Sequence, residues 1–322
     1  RRHSFLYLLW LFFPLKVTIH SFKHPKMIGL EFIEPMTLYN MLQQGIDYSC
    51  LSDTNYLFLI DAREKIDYNE SHIVTAKLAA RNEVQIFMIP YDAELECKKN
   101  IIVYDSNTAE LVGQTPAIKC GKTFWDAGSR NAIKILKGGY EDFSALYPFL
   151  RTQKILYTPR ELDAIKTYPV EICQGMLYLG NMKHGNSPVV QKDLKIRGHI
   201  NCCVEAETFF NEPGPHLLHF QVNDETEVDL YSNFKSACAF TDYHFEELFS
   251  VLVFDMLGIN SAATVVIAII MYTNKWTLEE AYSHVLKCSS SVRPTRSFIE
   301  QLSRWEEEIF GEKLTDISEP KY

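Results

Sequence analysis

The sequence predicts an α/β protein of two domains, and three patterns support this prediction. Short apolar segments bounded by polar residues indicate buried strands, as in YLFLIDA at 56–62, NIIVYDS at 100–106 and SVLVF at 250–254. Helical segments alternate with these strands, which is typical of a parallel sheet covered on both faces. A polar stretch with two prolines, residues 151–169, separates the alternating segments into two groups.

The first predicted domain covers residues 27–150. A helix is expected over MTLYNMLQQG, residues 36–45, with its final glycine closing the helix. Two buried strands follow this helix, and the second of them ends at Asp105. The segment AIKILKGGYEDFSALYPFL, residues 132–150, predicts a strand, a turn at the two glycines and a helix.

Residues 151–169 are interpreted as a linker with a short helix near Glu161. The second predicted domain covers residues 170–311 and is followed by a tail at 312–322. Its expected strands are GMLYLG, IRGHINCCVE, LLHFQV and SVLVF, and its expected helices include DLYSNFKSACAFTDYHFEEL, SAATVVIAIIMY, TLEEAYSHVLKC and RSFIEQLSRWEEEIF. The sheet of this domain is expected to be mostly parallel.

The N-terminal segment has a basic start and an apolar run from Phe5 to Phe13, a pattern typical of a signal peptide. The run is too short for an ordinary membrane span, and no small-residue cleavage site follows. We expect residues 1–26 to be a gene-model extension or a disordered segment, with Met27 as the natural start.

The composition argues against several classes of function. The net charge of -9 disfavours direct nucleic-acid binding, which usually needs a basic face. The cysteines form no C-x-x-C pair and no zinc spacing with histidine, so we expect free thiols in a reducing compartment, without metal or cofactor. The eight cysteines are Cys50, Cys97, Cys120, Cys173, Cys202, Cys203, Cys238 and Cys288.

The second domain resembles the dual-specificity protein phosphatases over nearly its whole length. EICQGMLYLGN at 171–181 is similar to the opening strand of that family, and HFQVNDETEVDL at 219–230 to its general-acid loop. TLEEAYSHVLK and FIEQLSRWE resemble its closing helices. The family signature HCxxGxxRS falls on FDMLGINSA, residues 254–262, which we call the signature loop.

The signature loop has lost the side chains that carry the family's chemistry. Asp255 stands where a cysteine thiolate would attack phosphorus, and Phe254 where a histidine would support that cysteine. Ser261 replaces the arginine that binds phosphate, and Ala262 replaces a hydroxyl that aids the leaving thiolate. Only Gly258 remains, so we expect neither turnover nor tight phosphate binding.

Two aspartates of this domain have competing interpretations. As a hypothesis, the Asp255 carboxylate accepts the loop N–H groups that would otherwise hold phosphate. The alternative is that Asp255 is only the N-cap of a helix in an unrelated fold. Asp224 corresponds to the family's general acid and is interpreted as a relic, although an isolated aspartate in NDE is usually a turn residue.

The first domain resembles the rhodanese-like module that precedes the phosphatase domain in MAP kinase phosphatases. LIDAREKIDYNESHIVTAKL at 59–78 and ILKGGYEDFSALYP at 135–148 support the resemblance. In active rhodaneses a cysteine follows the strand that here reads IIVYDS, but Asp105 stands near that position, and Cys120 is the next cysteine downstream. We therefore expect no sulfur transfer.

The resemblance also implies MAP kinase docking through a basic cluster. Only Lys77 and Arg81 lie near the corresponding stretch, with Glu83 beside them. A solvated loop is therefore favoured over a docking site there.

The combination of two degenerate domains resembles the serine/threonine/tyrosine-interacting-like pseudophosphatases. This resemblance implies an inactive regulator of phosphorylation signalling, apoptosis and stress-granule assembly. It also implies two partners, a mitochondrial dual-specificity phosphatase that the protein inhibits and a stress-granule RNA-binding protein. The location that it implies for the protein is the cytoplasm and also the mitochondrion. The chain departs from that family at Ser261, where an arginine is typical. A MAP kinase-docking or phosphoprotein-binding scaffold and a phosphatase with an unusual nucleophile remain open as alternatives.

Overall fold

A computed structural model of the chain provides the architecture. The residues that it describes are 29–45, 48–91, 93–204, 209–210, 214–222, 228–318 and 322. The N-terminal segment 1–26 and Asp224 lie outside these ranges, so the predictions made for them stay predictions.

The elements follow one another in the predicted alternation. The strands are β1 Leu30–Ile33, β2 Leu57–Asp61, β3 His72–Ile73, β4 Lys77–Leu78, β5 Asn100–Tyr104, β6 Ile133–Leu136, β7 Arg151–Thr152, β8 Val170–Cys173, β9 Leu177–Asn181, β10 Ile196–Asn201, β11 Leu217–His219 and β12 Ser250–Asp255. The helices are α1 Pro35–Leu42, α2 Lys65–Glu70, α3 Pro116–Asp126, α4 Gly139–Leu146, α5 Pro159–Asp163, α6 Met182–Gly185, α7 Pro188–Asp193, α8 Tyr231–Glu246, α9 Ser261–Asn274, α10 Leu278–Cys288 and α11 Arg296–Phe310.

The first sheet has the strand order β1-β6-β5-β2-β4, and all of its pairings are parallel. Alternate residues of β5 enter different cores, Ile102 and Tyr104 on one face and Ile101 and Val103 on the other. Both faces of the sheet are therefore covered, which explains why the sequence of β5 is apolar throughout.

Two local details refine the sequence interpretation. Helix α1 ends at Leu42, and Gly45 does not close it but pairs with Ser49 in an isolated bridge. The predicted short helix near Glu161 is confirmed as α5, which begins with a capping box between Thr158 and Glu161. Within the predicted linker, β7 pairs with β3 of the first domain.

The second sheet has the order β11-β10-β12-β9-β8, with β8 antiparallel to β9 and the other pairings parallel. The predicted mostly parallel sheet is thus confirmed. Helix α9 is buried along most of its length, among α8, α10 and α11. In the central strand β12, Val251 and Val253 face this helical layer, whereas Leu252 and Phe254 on the opposite face belong to a cluster that contains residues of both domains.

The two domains share one apolar core. Tyr39 of α1 and Tyr147 after α4 stack with ring centroids 4.5 Å apart. They belong to the same buried cluster as Tyr178, Leu252 and Phe254 of the second domain. Helices α1 and α4 therefore lie between the two sheets.

The edge strand β8 obtains its missing backbone partners from side chains of the first domain. An edge strand leaves backbone groups unpaired, and these groups are costly to bury. The Asn40 amide donates to the Glu171 carbonyl and accepts from the Glu171 N–H, both at 2.8 Å. The Tyr39 hydroxyl donates to the Pro169 carbonyl at 2.8 Å. These side chains therefore complete the edge of the second sheet.

The Glu171 carboxyl lies inside this interface. It accepts hydrogen bonds from the hydroxyls of Tyr147 and Tyr178 and from the Gly175 N–H. Burial raises the pKa of Glu171, and these three donors oppose that rise.

Replacement of Asn40 tests how far the interface depends on this edge pairing. We expect Asn40→Ala to lower the free energy of unfolding of the full chain by about 2–4 kcal/mol, because it leaves two buried backbone groups of Glu171 without partners. Urea denaturation followed by circular dichroism measures the change. The control is Asn107→Ala, because Asn107 is exposed and its amide bonds only to Glu141. Equal effects of the two substitutions would contradict the interpretation.

Candidate functional site

The signature loop joins β12 to α9 at the carboxyl end of the second sheet. Because β12 lies between β10 and β9, the loop occupies the middle of that edge. Gly258 has a φ of +77°, and a Cβ at this position would lie 2.7 Å from the carbonyl oxygen of Gly180. Only glycine fits this turn without strain, which accounts for its presence at 258.

The Asp255 carboxylate fills the concave side of the loop. The side chain accepts five hydrogen bonds and the residue is only 7 % exposed. The donors are the backbone N–H groups of Leu257, Gly258, Asn260 and Ala262 and the hydroxyl of Ser261. The hypothesis that this carboxylate accepts the loop N–H groups is confirmed.

Asp255 does not serve as the N-cap of α9. That position is Asn260, whose side chain makes no capping hydrogen bond within the helix. The Asp255 carboxylate instead lies at 3.0 Å from the Ala262 N–H in the first turn of α9, and it reaches back to Leu257 at 2.9 Å. It therefore acts as an anion held by a helix N-terminus and a loop together.

Phe254 and Ser261, at the neighbouring signature positions, contribute neither a thiol nor a cation to the loop. Phe254 is fully buried, and its ring lies 5.3 Å from the ring of His199. A Cβ on Gly185 would approach the Phe254 ring to 2.7 Å, so this aromatic side chain fills its pocket closely. The Ser261 hydroxyl donates inward to Asp255 at 3.2 Å.

Asn260 is a supporting residue of the loop that the sequence interpretation missed. Its side-chain oxygen accepts the Thr295 N–H at 2.9 Å, and the adjacent Ile259 carbonyl accepts the Arg293 N–H at 2.9 Å. The loop is thus tied to the segment that precedes α11. An asparagine just before a helix was the available signal, but this type of signal is common.

Two cysteines lie close to the loop but have little nucleophilic character. Cys202 and Cys203 follow β10, whose end is adjacent to the end of β12. Burial and the nearby Asp255 charge raise the pKa of the Cys203 thiol to about 11 and that of Cys202 well above its usual value. Both thiols are therefore protonated at neutral pH, and the thiolate is the reactive form.

The described ranges offer neither a candidate metal site nor a helix suited to span a membrane. Within them, no three side chains of His, Cys, Asp or Glu come together as a candidate metal site. None of the helices there is both long enough and apolar enough to cross a membrane.

The loop after β5 in the first domain is arranged like the signature loop. The Asp105 carboxylate accepts from the Thr108 N–H at 3.0 Å, from the Thr108 hydroxyl at 2.6 Å and from the Ala117 N–H at 3.0 Å. Ala117 lies in the first turn of α3, so the Asp105 carboxylate also accepts a hydrogen bond at the N-terminus of a helix. Cys120 is buried in α3, and burial raises its pKa to about 12.

The two basic residues near the expected kinase-docking stretch have internal partners. The Arg81 guanidinium forms an ion pair with Glu64, donates to the Ala62 carbonyl at 2.8 Å and lies 4.7 Å from the Phe87 ring centre. The Lys77 ammonium lies 5.7 Å from the ring of Phe58. Much of the positive charge of Arg81 is therefore compensated within the domain.

Comparison with protein families identifies both domains. The family described as "Dual specificity phosphatase, catalytic domain" matches residues 177–308, and the rhodanese-like domain family matches residues 47–146. The chain carries a rhodanese-like domain followed by a dual-specificity phosphatase domain. This combination matches the rhodanese-containing dual specificity phosphatases.

Individual relatives match the chain at low identity. Dual specificity protein phosphatase 16 of Homo sapiens is 26% identical over 324 residues, covering 92% of this chain and 46% of that protein, so the chain spans about half its length. Dual specificity protein phosphatase 1 of Mus musculus is 26% identical over 292 residues, 79% of either chain. A solved human tyrosine phosphatase-like serine/threonine/tyrosine-interacting protein is 24% identical, with a TM-score of 0.41 and coverage of 44% of this chain and 98% of that one.

Removal of the Asp255 carboxylate tests its role as an internal anion. We expect Asp255→Ala to lower the free energy of unfolding by about 3 kcal/mol, because several buried N–H groups lose their acceptor. Added inorganic phosphate should then raise the melting temperature of the variant but not that of the wild type, since only the variant has free loop N–H groups. Differential scanning fluorimetry measures both effects.

The control for this experiment is Asp126→Ala, which removes an exposed carboxylate at the end of α3. It should leave the response to phosphate at the wild-type level. A wild-type chain that is stabilised by phosphate as strongly as Asp255→Ala would show that Asp255 does not occupy the anion site.

Proposed function

We propose that this protein is a pseudophosphatase, which regulates phosphorylation signalling by binding other proteins and not by catalysis. The observation that supports this proposal is the position of Asp255. Its carboxylate stands at the nucleophile position and accepts the loop N–H groups that a substrate phosphate would need.

The chemistry of phosphoryl transfer argues in the same direction. A carboxylate nucleophile requires a cation that neutralises the phosphate, and Ser261 supplies none. Two charge-assisted hydrogen bonds from an arginine at position 261 would contribute roughly 3–6 kcal/mol, or a hundredfold or more in affinity. The Asp255 charge would also repel a substrate dianion from the loop.

The alternatives have less support. An unusual cysteine nucleophile is disfavoured because burial keeps Cys202 and Cys203 protonated. Phosphoprotein binding would need the loop N–H groups that Asp255 already occupies. MAP kinase docking through Arg81 would compete with its ion pair to Glu64.

The resemblance to serine/threonine/tyrosine-interacting-like pseudophosphatases suggests specific partners. These are a mitochondrial dual-specificity phosphatase, which the protein would inhibit, and a stress-granule RNA-binding protein whose assembly it would restrain. Roles in apoptosis and a location in the cytoplasm and the mitochondrion belong to the same proposal. Reciprocal pull-downs with the full chain should recover one of these two partners, and recovery of neither would count against this part of the proposal.

Phosphatase turnover tests the central claim directly. We expect the wild-type chain to show no hydrolysis of para-nitrophenyl phosphate. The double substitution Phe254→His with Asp255→Cys should remain inefficient because it lacks the arginine. Addition of Ser261→Arg should increase turnover by about a hundredfold or more, because the arginine restores the charge-assisted hydrogen bonds to the phosphate.

A further variant keeps this test informative if histidine disturbs the buried Phe254 pocket. Asp255→Cys with Ser261→Arg retains Phe254 and still provides a thiolate and a cation beside the helix N-terminus. Wild-type turnover that disappears in Asp255→Ala would overturn the proposal and identify Asp255 as a nucleophile.

A further inference from the structure

A short antiparallel hairpin, residues 80–88, borders the first sheet next to β4, and we call it the edge hairpin. The Asn82 N–H donates to the Ile86 carbonyl at 3.0 Å, and the Met88 N–H donates to the Ala80 carbonyl at 2.8 Å. The Asn82 side chain also accepts the Ile86 N–H at 2.8 Å, which closes the turn. The edge hairpin is therefore a defined structure and not an irregular loop.

The outer arm of the edge hairpin places large apolar side chains in solvent. Phe87 faces the core of the first domain. Its neighbours point the other way, with Ile86 60% and Met88 48% exposed, and Val84 at the turn is 71% exposed. Tyr91, just beyond the hairpin, is fully exposed. Exposed apolar residues clustered in this way mark interaction sites more often than scattered ones do.

The same arm presents unpaired backbone groups. Arg81 and Phe87 form the bridge of the hairpin, and the hydrogen bonds on either side come from their neighbours. This is the non-hydrogen-bonded type of antiparallel pair, in which the N–H and C=O of Phe87 point away from the inner arm. Neither group has a partner among the described residues. The outer arm thus offers a free strand edge.

The stretch of chain that contains this edge is acidic. Residues 82–91 and 93–97 include Glu83, Glu94 and Glu96 but no Lys, Arg or His. The cations that flank this stretch in the sequence have partners elsewhere: Arg81 pairs with Glu64, Lys98 donates to the Thr54 carbonyl, and Lys99 pairs with Asp53. A partner segment that carries basic side chains would therefore be attracted, and an acidic one repelled.

We propose that the edge hairpin docks an extended, basic segment of a partner protein, which adds a strand alongside Phe87. Main-chain hydrogen bonds to Phe87 would supply affinity, while apolar side chains of the segment pack on Ile86 and Met88. Its basic side chains would face Glu83, Glu94 and Glu96. This inference rests on the proposed role in protein binding and names the chemistry of one partner segment.

Fluorescence anisotropy with the full chain tests the proposal. The probe is a fluorescein-labelled nine-residue peptide in which Val and Arg alternate, and a second probe has Glu in place of each Arg. We expect the basic probe to bind and the acidic probe not to bind. The double variant Ile86→Lys with Met88→Lys should weaken binding of the basic probe by about tenfold or more.

A matched control separates local packing from the overall charge. Val112→Lys with Leu146→Lys adds the same two charges at exposed apolar positions of the same domain, 62% and 42% exposed. It should change affinity by less than about threefold, because screening limits the effect of distant surface charges. A probe with N-methyl groups at alternate peptide bonds should bind weakly, since it cannot pair as a strand.

Four outcomes would overturn the proposal: no binding, equal weakening by both double variants, equal binding of the acidic probe, or undiminished binding of the N-methylated probe. Sedimentation that shows a dimer lost on Ile86→Lys with Met88→Lys would assign the edge to a second copy of this chain instead. Each of these results is independent of turnover. If the docking proposal fails, the catalytic part of the proposed function still stands. If the wild-type chain shows turnover, that catalytic part is refuted and the docking proposal is unaffected.

Discussion

Backbone N–H groups at the start of a helix need a hydrogen-bond acceptor, because they have no partner within the helix. In each domain of this protein such a helix follows a parallel strand, and the acceptor is an aspartate. An enzyme leaves these groups free for an anionic substrate. Here an aspartate at the end of the strand supplies the acceptor from within the chain. Asp255 does so between β12 and α9, and Asp105 does so between β5 and α3. The same geometry that would bind a substrate anion therefore holds a carboxylate of the chain itself.

The interface between the domains extends this stabilisation to the signature loop. Gln44, beyond α1, donates to the Cys288 carbonyl and accepts the Ser290 N–H. The segment that begins at Ser290 in turn donates to the loop through Arg293. The first domain thus contacts the chain that supports the loop from outside, while Asp255 holds it from inside. A loop restrained on both sides has little need to adapt, whereas a catalytic loop must accept substrate and release product.

The sequence predicted those features that depend on neighbouring residues, and it missed those that depend on distant ones. Apolar runs located β2, β5 and β12, and the position of Asp255 between a strand and a helix predicted its acceptor role. The pairing of Asn40 with Glu171 joins residues of different domains, and no local pattern marks it. The end of α1 was misplaced because a glycine after a helical segment usually closes it, but the chain here turns earlier. The sequence also showed no partner for Arg81, whose ion pair with Glu64 exists only in the folded domain.

Catalysis and protein binding place different demands on the fold. Phosphatase catalysis requires a thiolate, a cation and an open anion site, whereas residues 254–262 contain neither cysteine nor arginine and hold the Asp255 carboxylate against the loop N–H groups. Protein binding requires exposed groups that the fold holds in place without satisfying them. The edge hairpin meets this condition, because the inward Phe87 and the Asn82 turn fix it while Ile86 and Met88 are exposed. The Phe87 N–H and C=O also have no partner among the described residues. The edge hairpin lies in an acidic stretch, whereas a kinase-docking cluster is basic. A partner segment that binds the edge hairpin should therefore be basic, and one that binds a kinase-docking cluster should be acidic. The same architecture can therefore serve either demand, because catalysis depends on the signature loop and partner selection on exposed edges elsewhere in the fold.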